Sequence, residues 1–173
     1  MKKYIVASVI VLIFTFKGNS QMSESGSLGL GIAFTSLNYG LSAKYNFTDV
    51  HTGQVIIGSA NYGYGFGNES SFALTGRYAY NFEENDIDFA NWKPYLYGQL
   101  GYWTYKYNDS FGTKYNFNAI AIGAGGGIEW SFIDFVYGLA FSFELGFTSI
   151  SFEGLGSIGG FNGGFGVHYY FNL

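Results

Sequence analysis

The chain of 173 residues has no cysteine, one proline and only 12% charged residues, about half the charge of an average soluble chain. Without cysteine there is no disulfide framework and no lipid-anchored lipoprotein. A single proline and the absence of a three-residue glycine period exclude a collagen-like fibre. Long apolar runs are missing as well. Ser25–Ala43, Val50–Asn68 and Gly154–Leu173 carry no Asp, Glu, Lys or Arg, yet each is broken by Gly, Ser and Asn at close intervals, so none reads as a membrane-crossing helix. In their place stand 27 glycines, 22% aromatics and 48% hydrophobic residues overall. That much apolar surface excludes disorder. The glycine content argues against a helical bundle, since each glycine costs a helix about 1 kcal/mol.

Met1–Gln21 has the pattern of a secretory signal: Lys2 and Lys3, then a mostly apolar run Tyr4–Phe16, then Lys17, Gly18, Asn19 and Ser20. Thirteen residues are too few to span a bilayer. The reading places a signal peptide at 1–20 and a single domain at 21–173. The domain then holds five basic and twelve acidic residues, a net −7, which argues against nucleic acid as a partner.

Beyond the signal the hydrophobic period is two, the period of strands, whose successive side chains point to opposite faces. Leu28, Leu30, Ile32 and Phe34 alternate with glycine, alanine and threonine. Leu37, Tyr39, Leu41, Ala43, Tyr45 and Phe47 alternate with Asn38, Gly40, Ser42, Lys44 and Asn46. The same pattern assigns Ile56, Gly58, Ala60, Tyr62, Tyr64 and Phe66 to the apolar face of a third strand, and Leu74, Tyr78, Tyr80 and Phe82 to that of a fourth. Leu96, Leu100 and Tyr102 stand for the fifth, Pro94–Tyr107, where aromatics fall on both parities. Ile120, Ile122, Ile128, Trp130 and Phe132, then Leu139, Phe141, Phe143, Leu145 and Phe147, then Phe165, Val167, Tyr169, Phe171 and Leu173 complete eight strands. The breaks fall at Thr35–Leu37, Thr48–Gln54, Gly67–Ser71, Glu83–Trp92, Asn108–Lys114, Ile133–Phe135 and Ser151–Gly160. The expected fold is all-β, an eight-stranded antiparallel up-and-down transmembrane β-barrel.

Two features orient it. The second face of each strand is mostly Gly, Ala, Ser, Thr and Asn, whereas a water-facing surface would be rich in Lys and Glu. An eight-stranded lumen is also just wide enough for side chains, and the large faces would overfill it. Lipid therefore meets the large face and the small face lines the lumen. A closed barrel leaves no strand edge unsatisfied in hydrocarbon. Phe47, Phe66, Phe72, Phe82, Trp92, Trp130, Phe132, Phe135, Phe147 and Phe171, near strand ends, are the expected interfacial girdles.

These features together resemble the small eight-stranded outer-membrane barrels of the OmpX, OmpA-transmembrane and OmpW kind, over roughly residues 25–173. The last strand, Phe165, Val167, Tyr169, Phe171 and Leu173 alternating with small and polar residues, is similar to the signal read by the outer-membrane assembly machinery. Gly123–Phe132 is also similar to strands of this family. The resemblance implies a monomer in the bacterial outer membrane whose partners are outer-membrane lipid and, during biogenesis, that machinery. It implies a structural or surface role with a filled lumen; a narrow pore for small solutes or ions and a lipid-modifying enzyme are the alternatives. The loops expected on the outer side are short for this family and the inner connections long, which speaks against an adhesin.

Lys44, Arg77, Glu129, Glu144 and His168 all fall on the lumen face. Charges in a narrow lumen persist only when paired, so the expectation is a plug with Arg77 and Lys44 facing Glu129 and Glu144. Ser142, Glu144 and His168 are a conceivable acyl-transfer triad without motif support. The expectation is accordingly no enzymatic activity and no catalytic residues. No cofactor and no metal site are expected: His51 sits in a connection, and the acidic run Glu83–Asp88 lacks the spacing of a calcium loop and reads as a solvated turn. The glycine strings Gly123–Gly127 and Gly159–Gly160 are not phosphate loops, having no Lys-Ser/Thr after them, and read as permitting sheet bending and close packing. Lumen glycine and alanine leave room for a water-filled path, the feature that favours a pore.

Overall fold

A computed structural model describes residues 24–60, 71–87, 90–108, 114–131, 136–154 and 156–172, with backbone alone for 106–108 and 114–116. The proposed signal, Tyr62, Tyr64, Phe66, Phe132, Phe135 and Leu173 lie outside the described residues. The strands are β1 (Ser27–Thr35), β2 (Asn38–Thr48), β3 (His51–Ala60), β4 (Phe72–Asn81), β5 (Asn85–Ile87), β6 (Ala90–Asn108), β7 (Lys114–Ser131), β8 (Leu139–Phe152) and β9 (Gly156–Asn172).

Every pairing is antiparallel and between sequence neighbours, with two exceptions that follow from closure: β1 pairs with β9, and β4 pairs with β6 past the short β5. The result is a closed barrel of eight strands, with β5 folding back on the start of β6 as a two-stranded flap. Following paired residues from Leu30 through Ala43, Val55, Gly76, Leu100, Ile122, Ser149 and Gly159 returns to the line of β1 ten residues beyond the start. That stagger tilts the strands by about 40° and sets a narrow interior.

Outward-facing side chains are the large apolar ones. Leu41, Leu74, Leu100, Ile122, Phe143 and Leu145 are exposed on the outer wall, Leu145 by 77%. Leu96, Leu100 and Tyr102 face out as expected. At the lower mouth, where Ser27 and Asn172 pair, Phe47 and Phe82 are exposed; towards the upper mouth Phe72 and Phe147 are. Aromatic pairs such as Tyr45–Phe47, Tyr80–Phe82 and Phe147–Phe161 pack edge to face on the wall. No helix among the described residues is long and apolar enough to cross a membrane; this fold crosses with strands.

Several sequence expectations are corrected. In β3 the faces are reversed: Ile56 is 1% exposed and lies inside, while Val55 and Ile57 are on the wall. Ile56 pairs in register with Ser42 and Thr75, both buried lumen residues, so its neighbours set its direction. The β2–β3 connection is only Asp49 and Val50, not Thr48–Gln54. His51 opens β3 rather than sitting in a connection, and its Nδ1 is 2.7 Å from the Tyr78 hydroxyl. Glu83–Trp92 is not a plain loop but holds the β5–β6 flap. Ser151–Gly160 is not a turn either: β8 and β9 pair as far as Phe152 and Gly156. Gly156–Gly163 thereby rises above Thr35, the last β1 residue paired to β9.

Candidate functional site

Among the described residues, polar and aromatic side chains from every long strand project into the lumen. At its lower end Asn46 donates to Ser27 Oγ at 2.8 Å and accepts from Thr52 Oγ1 at 2.5 Å, and Asn81 donates to Thr52 at 2.8 Å. Just inside, Lys44 Nζ on β2 donates to Glu129 Oε1 on β7 at 2.8 Å. The hydroxyl of Tyr170 on β9 donates to the same carboxylate at 3.1 Å. Lys93, 1% exposed, stands in register opposite Glu129.

The second ion pair lies deeper. Arg77 Nη1 on β4 donates to Glu144 Oε2 on β8 at 2.7 Å, and its Nε donates to Gln99 Oε1 at 2.9 Å. Tyr95 hydroxyl donates to the other oxygen of Glu144 at 2.6 Å. The guanidinium carbon lies 4.7 Å from the centre of the Tyr97 ring, and Lys44 Nζ lies 5.5 Å from that of Tyr95. Each charge thus has a counter-charge and an aromatic neighbour. That is the arrangement low-dielectric burial requires, since an unpaired ion there costs several kcal/mol.

A hydrogen-bond chain links the deeper pair to His168. Gln54 Oε1 faces Arg77 Nη1 at 3.5 Å, and Gln54 Nε2 donates to Ser42 Oγ at 2.8 Å. The Ser42 hydroxyl in turn shares a hydrogen bond with His168 Nε2, 2.8 Å away. Above, Thr148 Oγ1 accepts from Gln99 at 2.8 Å and from Asn162 at 3.0 Å. Thr75 Oγ1 accepts from Asn38 at 3.1 Å and from the Trp103 indole at 3.2 Å. The upper mouth is apolar: Trp103, 1% exposed, packs with Ala60, Ala73, Ala119, Ala121 and Ile150 under Leu37, Tyr105 and Phe152.

All five lumen residues expected from sequence are buried inside the barrel. The acids and bases pair as Lys44 with Glu129 and Arg77 with Glu144. The conceivable triad does not assemble. His168 meets Ser42, not Ser142, its Nδ1 has no hydrogen-bond partner, and Glu144 is held by Arg77 and Tyr95.

Sequence reasoning missed Lys93, Tyr95, Tyr97 and Trp103 as lumen contributors, along with Gln54 and Gln99; it placed Tyr170 on the lumen parity without giving it a role. Of the two readings the sequence offers for its lumen glycines, close packing and room for a water-filled path, the geometry fits the first. A Cβ on Gly127 would lie 2.7 Å from the Tyr95 ring, one on Gly125 2.6 Å from the Tyr97 hydroxyl, and one on Gly29 2.8 Å from the Tyr170 ring. These glycines make room for rings, not for water. A glycine on one strand facing an aromatic on a neighbouring strand was the available signal.

Fold and lumen together define a small transmembrane β-barrel with a packed interior. Among solved structures the chain is similar to the N-terminal β-barrel domain of Pseudomonas aeruginosa OprF. The TM-score is 0.61 at 15% identity, over 85% of this chain and 98% of that one. It is also similar to Neisserial surface protein A, with a TM-score of 0.52 at 14% identity, over 85% of this chain and 95% of the other. No protein-family model matches it, and no curated protein does. The likenesses establish the fold of the small outer-membrane barrels.

Proposed function

We propose that the protein is a non-enzymatic, structural or surface component of the bacterial outer membrane, a monomeric barrel whose lumen does not conduct. One observation carries this reading: two cross-lumen ion pairs, Lys44–Glu129 and Arg77–Glu144, lie in series beneath the apolar cap around Trp103. An ion crossing the barrel would have to separate buried charge pairs and then pass an apolar constriction, each a barrier of several kcal/mol. The outer wall of Leu, Ile and Phe supports lipid as its surroundings. The alternating last strand, from Phe165 to Phe171, supports delivery by the outer-membrane assembly machinery.

Planar-bilayer recording of the refolded barrel tests this. No unitary conductance steps are expected at any voltage that the bilayer tolerates; reproducible steps scaling with protein concentration would establish the narrow pore instead.

A further inference from the structure

The acidic run after β4 has a geometry its spacing did not disclose. The β5–β6 flap sets Asp86 directly opposite Asn91, and side chains so paired stand on one face of a two-stranded ladder. Glu84 is on that face too, since Asn91 Nδ2 donates to its Oε1 at 2.8 Å. Ser131 is Asn91's partner on β7. Two oxygens of this group, Glu84 Oε2 and Asn91 Oδ1, are out of contact with solvent and have no hydrogen-bond partner; Asn91 itself is 9% exposed. Both are buried acceptors with nothing to accept from, an arrangement that costs stability, most of all for a charged group. Lys93, the next residue along this face, stands in the ladder opposite Glu129; neither oxygen accepts a hydrogen bond from it.

We propose that Glu84, Asp86 and Asn91 form a binding site for a divalent cation at the lower mouth of the barrel. Carboxylate and amide oxygens are hard donors, and the set is irregular and incomplete, so water must fill the remaining positions. Ca²⁺ tolerates that, whereas Mg²⁺ demands near-octahedral geometry, so the site is one for Ca²⁺. A divalent cation there answers Glu84 and, across the ladder, Asp86. Bound there, Ca²⁺ would tie the connection after β4 to the start of β6 and pin the flap over the mouth.

The test uses the refolded, chelator-stripped barrel in detergent. Terbium luminescence sensitised by the neighbouring Trp92 or Trp130 reports occupancy, and the melting temperature is followed through a CaCl₂ titration. The expectation is saturable terbium emission displaced by Ca²⁺, half-saturation at about 10⁻⁴–10⁻³ M as in exposed, weakly liganded sites, and a rise in Tm of roughly 2–5 °C at saturation. Both responses should fall at least tenfold in sensitivity in Asp86→Asn, whose side chain is exposed, and in Glu84→Gln, which retains an acceptor for Asn91. Absence of any Ca²⁺-dependent shift, or the same shift in both variants as in the parent, would overturn the site. Neither outcome depends on whether the lumen conducts.

Discussion

At the scale of single residues, the account rests on charges that are buried and answered. Glu144 accepts from Arg77 and Tyr95 and is itself nearly inaccessible. Truncating it to alanine leaves the Arg77 guanidinium buried without a counter-ion, and the expected loss is about 3–5 kcal/mol of stability. Thermal unfolding in detergent, followed by the mobility shift of folded against unfolded barrel, measures it. Removing both charges is a different experiment. Arg77→Met combined with Glu144→Leu leaves no unpaired charge, only the neutral Tyr95 hydroxyl and Gln99 Oε1 without these partners, and losing a neutral hydrogen bond costs less than stranding an ion. The double variant should therefore unfold well above the temperature of the single variant. A double variant as unstable as the single one would show that the pair contributes more than mutual neutralisation. That Lys44, Arg77, Glu129 and Glu144 face one another was legible in the sequence, because ions on the small-residue face of a barrel strand need counter-charges; which base meets which acid was not, since it depends on the barrel's stagger.

Across the strands, stability depends on fitting rings against glycines. The Tyr97 hydroxyl fills the space that a side chain on Gly125 would claim, and Gly146 meets the same hydroxyl from the other side. Gly125→Val displaces that ring and should cost about 1–3 kcal/mol. Gly98→Ala, on the outer wall with nothing within 4 Å of the new methyl, should stay within about 0.5 kcal/mol. Equilibrium unfolding in urea, read by tyrosine and tryptophan fluorescence, separates the two. Strand parity was readable wherever large and small residues alternate, as in β1, β4 and β8. It was not readable in β3, where Val55, Ile56 and Ile57 are consecutive and apolar and alternation carries no information; the buried Gln54 and Thr52 were the residues that pointed the right way. In β6, aromatics on both parities hid the fact that Tyr95, Tyr97 and Trp103 fill the interior. Turn lengths were misjudged for a related reason. Glycine and serine in Ser151–Gly160 read as a turn, yet Ser151, Phe152 and Gly156–Gly160 continue the β8–β9 ladder.

For the molecule as a whole, the central claim is one of direction: large side chains into hydrocarbon, polar and charged ones into a packed lumen. The native chain has no cysteine, so single cysteines can be placed without background. The most direct measurement is spin labelling at each position from Leu139 to Phe147 on β8 in lipid bilayers, with collision rates to oxygen, which concentrates in hydrocarbon, and to a water-soluble nickel complex. The account predicts a period of two. Labels at Phe141, Phe143, Leu145 and Phe147 should show high oxygen and low nickel accessibility, while labels at Ser142 and Glu144 should be shielded from both. High nickel accessibility at Phe143 and Leu145, or the loss of alternation along the strand, would contradict it.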